Sequence, residues 1–118
     1  MSLNEFLQQL NNDPQSVEFP QVIDLINSLY DYTPTRFSNG VDADRVVNEA
    51  GTNEGSCRIF AFARLNGFDQ AQTLACFGKF YRDDVLKNPA GTDHANIRTF
   101  MRHGWTGIDF EGEPLRLK

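Results

Sequence analysis

Leu3, Phe6, Leu7 and Leu10 recur at three- and four-residue steps behind Ser2 and Glu5, a Ser-x-x-Glu pair of the capping-box type. The spacing predicts a first helix from Leu3 to about Asn11. It stops before Asp13-Pro14, because the residue preceding proline is pushed out of helical backbone. A second helix is expected from Pro20, a favoured first-turn residue, with Val22, Ile23, Ile26, Leu29 and Tyr30 on its inner face. Thr33-Pro34-Thr35-Arg36-Phe37 is too short and too proline-bound for a helix. It reads as a short strand ending in the turn residues Ser38-Asn39-Gly40, and Val46-Val47 reads as another.

From Ser56 to Asn66 every side chain but the two arginines and the flanking polar residues is apolar, which is the pattern of a central helix buried on most sides. Asn66-Gly67 supplies its stop. Asp69 and Gln72 form a second capping box, and Leu74, Phe77, Tyr81 and Val85 predict the longest helix of the chain, closed by Pro89. A further helix is expected from Asp93 or His94 to His103-Gly104, burying Ile97, Phe100 and Met101. Ile108-Asp109-Phe110 and Leu115-Arg116-Leu117 alternate around Glu111-Gly112-Glu113-Pro114, which reads as a terminal β-hairpin. The expected fold class is α+β: a single compact domain over residues 1–118, with about five helices and a small antiparallel sheet including that hairpin.

Composition narrows the function. At 118 residues and 40% apolar content, one domain burying roughly 65% of its unfolded surface is expected, with no room for a second. The formal charge of −5 speaks against duplex nucleic acid. No apolar run approaches a membrane span and no signal peptide opens the chain, so a soluble protein made in the cytosol, without a membrane partner, is expected. Cys57 and Cys76 are too few for a disulfide framework and are read as reduced. The acidic excess lies in the first two thirds of the chain, whereas residues 79–118 carry a slight basic surplus, so pairing between the halves is expected.

Two polar, glycine-punctuated stretches stand out: Asn48-Glu49-Ala50-Gly51-Thr52-Asn53-Glu54-Gly55-Ser56-Cys57 and Asp93-His94-Ala95-Asn96-Ile97-Arg98, each running into a helical pattern. With Tyr32-Thr33-Pro34, Phe37-Ser38-Asn39-Gly40, Phe77-Gly78-Lys79-Phe80-Tyr81-Arg82 and the closing His103-Gly104-Trp105, they resemble the HopJ type III effector family over nearly the whole chain. The resemblance implies a small bacterial protein delivered into a host cell by type III secretion, and it implies no reaction, ligand or catalytic residue. A non-catalytic binding or interaction protein is the leading expectation. A cytoplasmic housekeeping protein is an alternative, because helical structure starts at Leu3 and leaves no polar secretion tail.

The candidate binding residues are Asn53, Glu54, Asp93, His94, Asn96, Arg98, Arg102 and Trp105. His94, Arg98 and Arg102 follow at four-residue steps on one helix face, which suits either internal ion pairs or recognition of a small anionic ligand or a protein. A thiol-dependent hydrolase or transferase is the catalytic alternative, with Cys57 as nucleophile, His94 or His103 as base and Asn53 or Asn96 as orienter. Gly55-Ser56-Cys57 is similar to the nucleophile segment of papain-like proteases, but with Glu54 and Arg58 where that segment carries Cys and an aromatic residue. Neither a metal nor another cofactor is expected, since Asp93, His94 and Glu54 offer too few soft ligands. Asn48, Asn53, Asn96 and Thr92 are equally suited to a buried polar knot joining the two stretches. Trp105 is expected to pack in the core or line a groove, with its indole N–H bonded.

Overall fold

The computed structural model describes residues 1–118. Helix α1, Leu3–Asn12, begins on the Ser2–Glu5 capping box, in which each residue's side chain bonds the other's backbone N–H at 3.1 and 3.0 Å. It buries Phe6 and Leu10. Helix α2, Phe19–Leu29, buries Val22, Leu25 and Ile26 and passes straight into strand β1, Tyr30–Tyr32. Strands β2, Phe37–Asn39, and β3, Val46–Asn48, pair antiparallel, with Phe37 opposite Asn48.

Helix α3, Glu54–Leu65, occupies the middle of the molecule as its composition requires, with Cys57 and every residue from Ile59 to Ala63 buried. The Phe60 ring lies 5.0–6.4 Å from those of Phe37, Phe77, Phe100 and Trp105, so one side chain ties together a strand, a turn and two helical segments. Helix α5, Ala95–His103, packs alongside, and Gly104 ends it with φ +61°.

Three expectations are corrected. The strand expected over residues 33–37 with a turn at 38–40 does not form: residues 33–36 lie between β1 and β2, and Ser38 and Asn39 belong to β2. The helix predicted from Asp69 to Pro89 is broken. Helix α4 spans only Gln70–Ala75, and a π-helical turn follows at Phe80–Val85. The break centres on Gly78, whose φ of +59° is left-handed and whose missing Cβ lets the Phe19 backbone nitrogen approach to 2.7 Å of the place a Cβ would occupy. The apolar spacing through Leu74, Phe77, Tyr81 and Val85 conceals this, because Leu74, Phe77 and Val85 are all buried on either side of the break.

The last two strands, β4, Asp109–Phe110, and β5, Leu115–Leu117, form where alternation placed them but do not pair with one another as a hairpin. Strand β4 pairs with β2, Phe37 opposite Phe110, and β5 pairs with β1, Tyr32 opposite Leu115. The same register runs through both pairs, so residues 30–39 and 109–117 form one antiparallel ladder interrupted in its middle. Glu111 N–H donates to Arg36 O and Thr33 N–H to Pro114 O across the interruption. Pro34 and Pro114 have no N–H to donate, and ladder pairing lapses there. The fold class is α+β, five α-helices with small antiparallel sheets. None of the helices is long and apolar enough to cross a membrane.

Candidate functional site

The two polar stretches meet. Asn48 at the end of β3, Asn53 before α3 and Asn96 in the first turn of α5 are joined by side-chain hydrogen bonds. The Asn96 amide donates to Asn48 Oδ1 at 2.9 Å, the Asn48 amide returns a bond to Asn96 Oδ1 at 3.1 Å, and the Asn53 amide donates to Asn48 Oδ1 at 2.7 Å. Asn39, at the end of β2, donates to the Asn96 backbone and side-chain oxygens at 2.8 and 3.1 Å. Asn39, Asn48 and Asn96 are buried, and only Asn39 Oδ1 lacks a partner. Apart from that oxygen the side-chain amides of the knot are paired, and breaking one of these bonds strands a buried polar group.

The knot sets the N-termini of α3 and α5 side by side on a cavity of about 370 Å³. Asn53, Gly55 and Ser56 line it from α3, and His94, Ala95, Asn96 and Ile97 from α5. Phe19, Phe77 and Phe80 form much of the rest of the wall. Asn53 and His94, the residues preceding the two helices, are left-handed at φ +49° and +51°, and neither side chain caps its own helix. Both side chains are engaged elsewhere. The Asn53 amide bonds Asn48, and His94 Nε2 lies 2.9 Å from Asp84 Oδ2. The first-turn N–H groups at these two helix starts, which have no partner within a helix, are therefore left without side-chain caps at the cavity.

His94 is further fixed by its ring, which stacks on Phe80 at 5.1 Å between centroids and 33° between planes. Asp84, Asp93 and His94 each bring one potential metal-ligand atom within 4.8 Å of the others. Glu54, grouped with Asp93 and His94 from sequence, is not part of that set and instead accepts from the Tyr32 hydroxyl at 3.3 Å. Arg98 lies 2.6 Å from Asp93 Oδ1 and holds the Asp93 carboxyl below its ordinary range.

The cationic face of α5 is paired within the molecule. Arg98, its side chain only 10% exposed, donates to Asp93 and to the backbone oxygens of Asp93 and Asn88, closing the loop that leads into the helix. Arg102 and His103 both engage Asp44, at 3.2 and 2.9 Å, and their hydrogen bonds depress the Asp44 carboxyl, His103 contributing more. The Asp44 contacts, with Arg82 to Glu18, pair acids of the first part of the chain with bases of the second. Neither arginine of the stripe lines the central cavity.

Cys57 is 1% exposed, with Sγ 3.7 Å from Thr35 O, and burial raises its thiol above the ordinary value. It does not line the cavity that Asn53 and His94 line, and its sulfur bonds Thr35 and Tyr32 and neither histidine. The cysteine–histidine–asparagine arrangement is not brought together. Cys76 is also buried and free. Trp105 is half-buried, edge-on to Phe60 and Phe100, and its indole N–H donates to Phe68 O at 2.9 Å.

Asn39, Asp84, Phe19 and Phe80 are absent from the candidates named from sequence. Asn39 has the local signature of a turn residue before Gly40, and Asp84 sits ten residues from the histidine it holds. Only the hydrophobic step from Phe19 into Pro20 and the Phe-Gly-x-Phe run carried any signal for the aromatic wall.

The family model described as HopJ type III effector protein matches residues 3–115. The crystal structure of the unknown function protein VPA0580 is similar to this chain at 48% identity, covering 100% of this chain and 95% of that one, with a TM-score of 0.94. A comparison with curated proteins finds no match. With one family pattern running from the first helix into the last strand, this chain belongs to the HopJ type III effector family.

Proposed function

We propose that this protein is a non-catalytic binding protein, acting in the interaction of a bacterium with its host, that holds the anionic group of a small ligand in the cavity between its two polar stretches. The observation that carries this reading is the convergence of two helix N-termini, neither capped by a side chain, on one cavity. Each helix end carries about half a positive charge, and a partly buried anion beside one gains up to ~2 kcal/mol. The engagement of Asn53 and His94 elsewhere keeps those amide groups free for a guest. The family description supports action after type III delivery, with the bacterial cytoplasm as the place of synthesis. The thiol reading gains no support from a buried cysteine whose ionisation is opposed.

The test is a thermal-shift series with acetate, sulfate and phosphate on the parent and on Ser56→Asp. Ser56 is the third residue of α3, where an added carboxylate sets a negative charge against the first turn of its own helix and competes with an outside anion. The parent should gain stability with at least one anion, as expected for a ligand bound only by the native state. Ser56→Asp should melt higher than the parent without anion and lose the response. A parent that is indifferent to all three anions at high concentration overturns the proposal.

A further inference from the structure

We infer that the ligand of this cavity is a monocarboxylate with a flat aromatic body of one or two rings. This rests on the reading of the cavity as an anion site and adds the chemistry of the rest of the guest. No lysine or arginine lines the cavity, and the Glu54, Asp84 and Asp93 carboxylates stand close to the two helix starts, so the positive field offered to a ligand is weak. Such a field suits a single negative charge at most and leaves a doubly charged phosphate undercompensated. Arg98 is engaged by Asp93, and Arg82 by Val17 O at 2.7 Å and Glu18 at 3.4 Å.

Away from the amides the wall is aromatic. Phe77 is buried beneath the cavity, and Phe80, 39% exposed, stands at its rim. Phe80 stacks on His94 and meets Phe19 edge-on at 5.0 Å and 65°. Rings in face and edge arrangements accept another flat ring better than a saturated chain, since offset stacking and edge contacts add to apolar burial. A Cβ on Gly55 would lie 2.8 Å from Phe19 Cζ, so the bare glycine lets this ring close directly against the start of α3. A volume of about 370 Å³ is near the lower end of ligand cavities, about 300–1,000 Å³, which fits one or two rings and excludes a dinucleotide.

Calorimetric titration of the whole protein with acetate, benzoate, 1-naphthoate, cyclohexanecarboxylate and phenyl phosphate tests the inference. Benzoate or 1-naphthoate should bind at least about tenfold tighter than acetate and several-fold tighter than cyclohexanecarboxylate and phenyl phosphate. Phe80→Ala, a change at a partly exposed wall position, should weaken the aryl carboxylates at least about fivefold more than it weakens acetate. Ser56→Asp should remove binding of every carboxylate. Aryl carboxylates no tighter than acetate or cyclohexanecarboxylate, or phenyl phosphate the tightest, overturn the aromatic monocarboxylate while leaving the anion site standing. Absence of binding by all five overturns both.

Discussion

Asn48→Ala attacks the knot at its centre. Asn48 Oδ1 accepts from Asn53 and Asn96, and its amide donates to Asn96 Oδ1, all within 3.1 Å and at 1% exposure. The Asn53 amide is half-buried and can turn to water, and Asn96 Oδ1 keeps its bond from Asn39. The Asn96 amide is sealed and loses its only partner, Asn48 Oδ1. An unsatisfied buried donor costs about 1–3 kcal/mol and each of the two other lost bonds about 0.5–1.5 kcal/mol net, so a destabilisation of about 2–6 kcal/mol is expected. Asn53→Ala, which removes one bond at the solvent side, should cost only about 0.5–1.5 kcal/mol. Urea unfolding followed by circular dichroism measures both, with an unchanged denaturant slope if the denatured state is unaltered. The double variant should be less destabilised than the sum of the singles, because both remove the same bond. An Asn48→Ala protein within about 0.5 kcal/mol of the parent would refute the claim that the knot is a satisfied unit holding the two helix starts.

Gly78→Ala should destabilise by at least about 2 kcal/mol, since it forces a left-handed alanine against the Phe19 backbone. Gly67→Ala, with φ +68° and nothing within 4 Å, should cost only the backbone strain of about 1–2 kcal/mol, and unfolding curves separate the two. Cys57 and Cys76 should react slowly with a thiol reagent in the folded protein and rapidly after denaturation; fast labelling of the folded form near pH 6 would contradict the raised Cys57 thiol. Asp44 and Asp93 titrate below their ordinary range when folded, so their stabilisation is complete above the unfolded carboxylate pKa and is lost as pH falls through the depressed folded values. Asp44→Asn and Asp93→Asn should each flatten the acid side of the stability profile, and a profile identical to the parent's would count against these pairings.

Local chemistry in the sequence determined a good part of this fold. The Ser2–Glu5 and Asp69–Gln72 boxes, the all-round apolar helix α3, the Gly104 stop and the alternating last strands depend on residues within a turn or two of each other, and they form where spacing placed them. The meeting of the two polar stretches was also legible, because asparagines entering apolar helices must find partners at short range. Tertiary structure alone decided the rest. Gly78 sits in a helical apolar pattern, and only the approach of Phe19 from a distant helix reveals why the chain breaks there. The last strands pair with β1 and β2, some 70 to 90 residues earlier, instead of folding back on each other, since the interrupted ladder is specified by partners that no local turn signal encodes. The cationic stripe on α5 was visible in its spacing, but whether it faced solvent, a ligand or Asp44 depended on a loop far away in sequence. The cavity belongs to the same class: its amides come from two helix starts and its wall from Phe19, Phe77 and Phe80, and packing alone brings them within reach of one guest.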